Sequence, residues 1–186
     1  MRVLGISGSL RRDSHNTKLL RLAGEIVESR ADAEFVIFDG LKAVPPYDED
    51  DDVGAGPPPA AELRKAIAEA DAVVFATPEY NSSVPGQLKN AIDWASRPKT
   101  DTVLQNKVVA VIGASTGMFG AVWAQAELRK VLAATGARVV EGEVAVGHAQ
   151  DRFDADGSLN DSNLENELRE VTRLLVEEIA PQRVAA

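Results

Sequence analysis

Short runs of β-branched residues alternate with helical patterns along the whole 186-residue sequence, and this alternation limits the fold more than any other feature. Five runs predict strands, at residues 2–6, 34–38, 72–76, 107–112 and 137–141. Apolar residues recur at three-to-four spacing, as in amphipathic helices, in residues 16–29, 60–70, 86–96, 119–135 and 163–179. Runs 2–6, 72–76 and 107–112 are almost continuously apolar, which is expected of strands buried on both faces of a parallel sheet.

This repeated strand–helix order predicts an α/β three-layer sandwich around a five-stranded parallel sheet with right-handed crossovers. We expect the flavodoxin-like strand order 2-1-3-4-5, because the chain is too short for an eight-fold barrel. No internal repeat or linker is visible, so residues 1–186 are expected to form one domain. Residues 41–59, with five prolines and an acidic run at 48–52, predict a long loop. It is either a solvated excursion or a flap at the rim of a site.

The composition excludes several kinds of chemistry. The chain has no cysteine, so disulfides, thiolate metal sites and a cysteine nucleophile are impossible. Its only histidines are His15 and His148, which cannot form a multi-histidine metal site. We therefore predict no metal site.

The charge pattern favours a small anionic ligand. The chain carries 29 Asp and Glu against 20 Lys and Arg, a net charge of −9 that argues against a nucleic-acid partner. Residues 1–30 and 81–130 are nevertheless locally positive, each with six Lys or Arg against three Asp or Glu. No apolar run approaches the roughly 18 residues of a membrane span, and no secretion signal is visible. We expect a cytoplasmic protein without membrane contact.

The first motif, SGSLRRDSHNT at residues 7–17, follows the first strand and opens the first helix. Ligands bind at this edge of a doubly wound sheet, and a helix N-terminus offers free N–H groups to a phosphate. Ser9, Ser14 and Asn16 could donate hydrogen bonds, and Arg11 could hold two phosphate oxygens. Alternatively, Ser14 or Asn16 only caps the helix. The loop lacks the glycine patterns of P-loop and Rossmann sites, which favours a mononucleotide phosphate.

The second motif, TPEYNSSVPGQLKN at residues 77–90, follows the third strand. Pro78 and Pro85 stiffen the loop, and Pro85 suits the first turn of a helix. A stiff loop can present backbone groups to the edge of a planar heterocycle, and Tyr80 adds an aromatic surface. By itself, the segment could equally be an ordinary strand–helix connection.

The third motif, GASTGMFG at residues 113–120, follows the fourth strand. Its three glycines would let a flat group approach the backbone closely. The motif also matches G-x-S-x-G, the nucleophile elbow of α/β-hydrolases, with Ser115 as nucleophile. That alternative needs His148 as the base, and Glu141 or Glu143 as the acid. His148 is otherwise a structural loop residue.

Together, these loops resemble the NADPH-dependent FMN reductase family, which includes quinone, azo and chromate reductases. The matching segments are GSLRRDSHN (8–16), PEYNSSVPGQLKNAIDW (78–94), GASTGMFG (113–120) and, more weakly, FDADGSLND (153–161). The resemblance implies that the first loop holds the FMN phosphate through Gly8, Ser9, Leu10, Arg11, Ser14, His15 and Asn16. It further implies that the isoalloxazine and ribityl groups are lined by Pro78, Glu79, Tyr80 and Asn81, and from the other side by Ser115 and Gly117.

The resemblance also implies a reaction. NADPH (or NADH) would reduce the bound FMN in a ping-pong mechanism, and a small-molecule acceptor such as a quinone, a flavin or an azo compound would then take the electrons. No side chain is expected to act as a catalytic acid, base or nucleophile. The alternative is a flavodoxin-like electron carrier without nicotinamide reductase activity. The family further implies a homodimer or homotetramer, in which Trp94 and Trp123 are either interface anchors or core residues.

Overall fold

Strands and helices alternate as expected in the computed structural model, which describes residues 1–184, with side chains as far as residue 179. The strands are β1 (Arg2–Ser7), β2 (Glu34–Phe38), β3 (Ala72–Thr77), β4 (Val108–Ala114), β5 (Arg138–Val139) and β6 (Ala145–Val146). The α-helices are α1 (His15–Glu28), α2 (Pro58–Glu69), α3 (Gly86–Ala95), α4 (Val122–Ala134) and α5 (Ser162–Val184). Two short 3-10 turns lie at Gly40–Ala43 and Ala149–Asp151.

The strands form one parallel sheet in the order β2-β1-β3-β4-β5, which confirms the predicted flavodoxin-like fold. Alternate residues of the strands point to opposite faces, and each face buries its own apolar cluster. α2, α3 and α4 cover one face, whereas α1 and α5 cover the other. The chain is therefore a three-layer α/β sandwich.

The fifth strand is shorter than expected. We predicted a continuous strand over residues 137–141, but only Arg138–Val139 pairs with β4 as β5. The exposed residues 141–143 then leave the sheet, with Gly142 at a positive φ of 124°. The chain returns as β6, which also pairs with β4, at Gly113 and Ala114. Glutamates on both sides of a glycine favour solvent over the sheet, which explains the interruption.

Trp94 is a core residue, which decides between the two alternatives considered for it and excludes an interface anchor. Its side chain is 0% exposed and its indole N–H donates to the Pro45 carbonyl at 2.8 Å. Tyr47 packs edge-on against the indole, and the Arg64 guanidinium lies over the ring. Trp123 is 49% exposed and remains a candidate for an interface.

The long loop of residues 41–59 is fixed to α3 at its beginning. Three α3 side chains, from Gln87, Asn90 and Trp94, donate hydrogen bonds of 2.7–2.8 Å to the backbone carbonyls of Leu41, Val44 and Pro45. The Asn90 Oδ1 also accepts from the Tyr47 N–H at 2.7 Å. Within the acidic run, Asp52 pairs with Arg64 at 2.7 Å, and both side chains are largely buried. These bonds make the first half of the loop part of the scaffold.

No helix among residues 1–184 is long and apolar enough to cross a membrane. The 23-residue α5 is amphipathic: its buried residues face α1 and β4, and its other face carries charged pairs.

Replacing Asn90 by alanine should lower the free energy of unfolding by about 1–3 kcal/mol, because both ends of the amide bond the loop backbone. Urea denaturation followed by circular dichroism measures this change. On the same helix, Lys89→Ala is the control, since it removes only a half-exposed ion pair with Asp93 and should cost less than about 0.5 kcal/mol. Equal effects of the two substitutions would contradict the assignment.

Candidate functional site

Three loops meet at one edge of the sheet. The first loop (residues 8–14), the second loop (78–85) and the third loop (115–121) follow β1, β3 and β4, which are neighbouring strands. Because carboxyl ends of parallel strands lie on the same side of a sheet, the predicted site residues are brought together there.

The first loop ends in a helix N-terminus with free donors. The Ser14 hydroxyl caps α1 by accepting from the Thr17 N–H at 3.2 Å, which confirms the capping alternative for this residue. The backbone N–H groups of His15 and Asn16 have no acceptor within residues 1–184. The Ser9 and Ser14 hydroxyls each accept one bond and keep their own hydrogen free to donate.

Arg11 is the cation best placed to join these donors. Its side chain is exposed and forms no ion pair with any described residue, and it is close enough to affect the protonation of His15. A free helix N-terminus beside an unpaired guanidinium has the charge and hydrogen-bonding pattern that a phosphate requires.

Asn16 has a different role from the one predicted. The residue is buried, and its amide makes two 2.9 Å bonds to Ala114 at the end of β4: Nδ2 donates to the carbonyl and Oδ1 accepts from the N–H. Because both ends of the amide are occupied, the side chain ties α1 to the beginning of the third loop. Only the backbone N–H of Asn16 remains available to a ligand.

His15 lies in the first turn of α1, with its ring stacked on Phe153 at a centroid distance of 5.8 Å. Its Nδ1 is buried and has no hydrogen-bond partner among the described residues. Burial, followed by the positive charges of Arg11 and Lys18, lowers the pKa of His15 below its usual value of 6.5. A bound phosphate would counter those two charges.

The second loop contains a tight two-residue turn. Tyr80 and Ser83 exchange two backbone hydrogen bonds of 3.1 Å, and Asn81 and Ser82 between them have φ values of 52° and 59°. These are the features of the twisted turn typical of β-hairpins. The turn leaves Tyr80 54% exposed, with its ring available to a flat ligand.

Glu79 points toward α4. Its Oε2 accepts from the backbone N–H groups of Trp123 and Ala124, each at 3.1 Å. On the other side of the turn, the Ser83 hydroxyl donates to Glu127 of α4 at 2.5 Å and lowers the pKa of that carboxyl. The carboxylate of Glu79 therefore binds the protein itself, and its backbone is the part left for a ligand.

The first and second loops are in close contact at Gly8. A methyl group on Gly8 would lie 2.7 Å from Leu88 Cδ2 and 3.2 Å from Pro78 Cδ, which leaves no room for a side chain. The Gly8 N–H donates to the Ala76 carbonyl at 2.8 Å and extends the pairing of β1 with β3. Gly8 and the buried Pro78 thus fix the distance between these two loops.

Two of the three glycines of the third motif serve internal packing. Side chains there would lie 2.8 Å from Gln125 at Gly113 and 2.3 Å from the Ala145 backbone at Gly120. Only Gly117 is exposed and has no close contact, since a methyl group there would lie 3.4 Å from Ser115 Oγ, so close approach of a ligand to the backbone stays a prediction for this one position.

The third loop does not have the geometry of a hydrolase nucleophile elbow. The Ser115 Oγ accepts from the Gly117 N–H at 3.0 Å and has no bond to a histidine within the described part of the chain. His148 contacts this loop through its backbone, donating its N–H to the Gly117 carbonyl at 2.9 Å. A serine nucleophile needs a base within hydrogen-bond reach, and neither histidine side chain is bonded to it.

The three loops and the first turn of α4 carry exposed apolar side chains. We call this set the apolar rim, and its members are 46–62% exposed: Leu10, Tyr80, Met118, Phe119 and Trp123. Phe119 and Trp123 pack edge to face at 5.0 Å. Apolar side chains of this size at a site indicate a flat ligand or a protein surface that covers them.

The residues present fit FMN. The free donors of the first loop suit its phosphate, and the exposed ring of Tyr80 and the open space at Gly117 suit a flat heterocycle. Within residues 1–184, no three histidine or acidic side chains could hold a metal ion. The arrangement supports binding of a phosphorylated flavin through backbone and hydroxyl donors.

The chain belongs to the NADPH-dependent FMN reductase family, whose model matches residues 1–151. It is an FMN-dependent NAD(P)H oxidoreductase, with FMN as cofactor and NAD(P)H as electron donor. It is 43% identical over 162 residues to an NAD(P)H-dependent FMN reductase of Pseudomonas aeruginosa, covering 87% of this chain and 85% of that protein.

Two further relatives support this conclusion. A 2-hydroxy-1,4-benzoquinone reductase from Burkholderia is 39% identical over 160 residues, which cover 86% of this chain and 85% of the relative. The structure of the flavoenzyme NAD(P)H:(acceptor) oxidoreductase FerB from Paracoccus denitrificans superposes with a TM-score of 0.83 and 36% identity, and the match covers 97% of each chain.

Sequence reasoning missed the residues that connect the loops. Glu127, Gln125 and the amide contacts of Asn16 were not expected, because these partners are distant in the sequence. One signal was present: no Ser, Thr, Asp or Asn stands just before α4, so the helix requires an acceptor from elsewhere. Glu79 supplies it.

The apo-protein should lose stability as the pH falls below about 6.5. The pKa of His15 is lower in the folded than in the unfolded protein, so below about pH 6.5 the unfolded state binds more protons. The stability that neutral His15 contributes above that pH is therefore lost as the pH falls. NMR titration of the histidine rings measures this pKa, with His148→Gln to assign the signals. Addition of FMN should raise the pKa of His15. An apo pKa at or above 6.5, or a decrease on FMN binding, would contradict the placement of the phosphate.

Proposed function

We propose that this chain is a single-domain, ping-pong NAD(P)H:quinone reductase whose FMN phosphate binds the first loop. The observation that carries the proposal is the free N-terminus of α1 beside the unpaired Arg11, at the edge where all three loops meet. Bound FMN would supply the redox chemistry, taking a hydride from NAD(P)H and passing the electrons to the acceptor after the nicotinamide has left.

The chain's own groups would bind and orient this cofactor. Arg11, the hydroxyls of Ser9 and Ser14, and the N–H groups of His15 and Asn16 would hold the phosphate. Gly8 would let the first loop approach the second closely, and Leu10 would pack beside the ligand.

The other two loops would hold the flavin ring on either side. The backbone of Pro78, Glu79 and Asn81, together with the ring of Tyr80, would line one side, and Ser115 and Gly117 the other. Backbone N–H groups fixed in these loops would favour negative charge on the ring system, as preorganised dipoles do in other active sites. No side chain is assigned as an acid, base or nucleophile.

A quinone is the acceptor class that the observations favour. One relative is a 2-hydroxy-1,4-benzoquinone reductase, and others are named quinone reductases. The apolar rim offers exposed aromatic surface suited to a flat, largely apolar acceptor. The alternative of a flavodoxin-like electron carrier shares the strand order with this chain, but the relatives named above are reductases.

We further propose a cytoplasmic homodimer or homotetramer. Trp123 and Phe119 form an exposed aromatic pair on the first turn of α4 and the loop before it. Aromatic residues of this kind are enriched at the centres of protein interfaces. A second copy of the chain would cover this pair and complete the wall of the site.

Anaerobic spectroscopy of the FMN-loaded protein tests the activity. NADPH should bleach the flavin absorption rapidly, and a benzoquinone added afterwards should restore it, as two separable half-reactions require. Flavin that stays oxidised with NADPH would favour the electron carrier. In the same assay, Ser115→Ala should keep appreciable turnover, because Ser115 is not assigned a chemical role.

Arg11→Ala should raise the dissociation constant of FMN by about tenfold or more, since it removes a charge-assisted contact worth about 1.5–3 kcal/mol. Fluorescence quenching of free FMN measures this constant. Arg12→Ala is the neighbouring control, with the same loss of charge. Loss of turnover in Ser115→Ala with FMN still bound would contradict the prediction that Ser115 has no chemical role.

Light scattering tests the assembly. The wild-type protein should be a dimer or tetramer at micromolar concentration, and Trp123→Ala should raise the dissociation constant of the subunits about 30-fold, as expected for an interface hot spot. Val53→Ala is the control, because Val53 is a 77% exposed apolar residue that belongs to none of the three loops. A wild-type monomer would reject the interface.

A further inference from the structure

Glu79 connects the second loop to the first turn of α4, which directly follows the third loop. The helix α4 begins at Val122, directly after the third loop, and its N-cap residue is Ala121 in the left-handed region at a φ of 64°. Alanine has no side chain to accept the first N–H groups of the helix. Both of the N–H groups bonded by Glu79, from Trp123 and Ala124, therefore obtain their acceptor from a different loop.

The carboxylate also satisfies the electrostatics of that helix end. A helix N-terminus carries roughly half a positive charge, and a negative side chain there is stabilising. Glu79 places its charge at this end, so α4 offers less attraction to a ligand anion than α1 does, where His15 and Asn16 keep free N–H groups. This difference directs a phosphate to α1.

Ser83 adds a second tie on the other side of the turn. Its hydroxyl donates to Glu127, one helical turn beyond Trp123, and the turn of Tyr80 to Ser83 lies between the two attachment points. The exposed ring of Tyr80 is thus presented by a segment that is fastened to α4 at both ends. The position of this ring then depends on α4, and α4 continues the third loop.

We propose that Glu79 is a positioning residue that sets the spacing of the second and third loops, by serving as the missing N-cap of α4. This rests on the proposed function, in which the flavin ring lies between those loops. Without the carboxylate, α4 frays at its first turn and the loops separate. The protein then populates the binding-competent arrangement less, and the apparent dissociation constant of FMN increases by the same factor.

Glu79→Ala should change three measurements on the full chain. The apo-protein should lose about 2–4 °C in Tm, the usual effect of losing a helix cap in a domain of this size. Amide hydrogen exchange of Trp123 and Ala124 should become faster. The dissociation constant of FMN, from fluorescence quenching, should increase on the order of tenfold. Glu62→Ala, an exposed glutamate on α2, is the matched control and should change none of them.

Glu79→Gln separates positioning from direct contact. The glutamine can still accept from both N–H groups but lacks the charge, so all three measurements should lie between those of the wild type and of Glu79→Ala. A lower Tm with an unchanged FMN dissociation constant would overturn the coupling and leave a simple cap. Weaker FMN binding with unchanged amide exchange would overturn it in favour of direct contact. If the wild type does not bind FMN, the proposed function fails instead.

Discussion

The two buried hydrogen bonds between the Asn16 amide and the Ala114 backbone are the contact on which the site depends. They join the beginning of α1 to the end of β4, across a sequence separation of 98 residues. A buried amide and a buried peptide group must both find partners, and here each satisfies the other. Substitution of Asn16 by alanine would leave the backbone N–H and carbonyl of Ala114 without these partners and would release the first loop from the third. The contact of Gly8 with Leu88 and Pro78 joins the first loop to the second as well.

The polar residues of the three motifs divide into two groups by their hydrogen bonds. Asn16, Glu79 and Asn90 use their side chains to bond the protein's own backbone. Ser9, Ser14 and Arg11 keep donors that no described residue uses, and these remain for a ligand. A family motif therefore contains both kinds of residue, and residue identity alone does not distinguish a ligand contact from a structural contact. The first group determines where the second group lies, because it fixes the loops from which the ligand contacts project.

Much of the fold and part of the site could be predicted from the sequence. The nearly continuous apolar runs of β1, β3 and β4 identify central parallel strands, and the order 2-1-3-4-5 is the doubly wound order that suits five strand–helix units. Helix caps such as Ser14 depend on neighbouring residues only, so they can also be predicted from the sequence. The break between β5 and β6 could not be predicted, because it arises where exposed glutamates turn away from the edge of the sheet into solvent. The sequence also left open whether Trp94 is a core or an interface residue, since the carbonyl that it binds belongs to the distant 41–59 loop.

Charge explains how an acidic chain can hold an anion. The net charge of −9 is spread over the molecule, and salt screens charges beyond about 8–10 Å, so the local arrangement decides what binds. At the sheet edge, the carboxylate of Glu79 in the second loop is partly offset by the N-terminus of α4, whereas no described residue pairs with Arg11 or accepts the His15 and Asn16 N–H groups of α1. The site is therefore locally positive at one helix only. On this basis we propose that the phosphate binds at α1 and that the space between the second and third loops takes an uncharged ring.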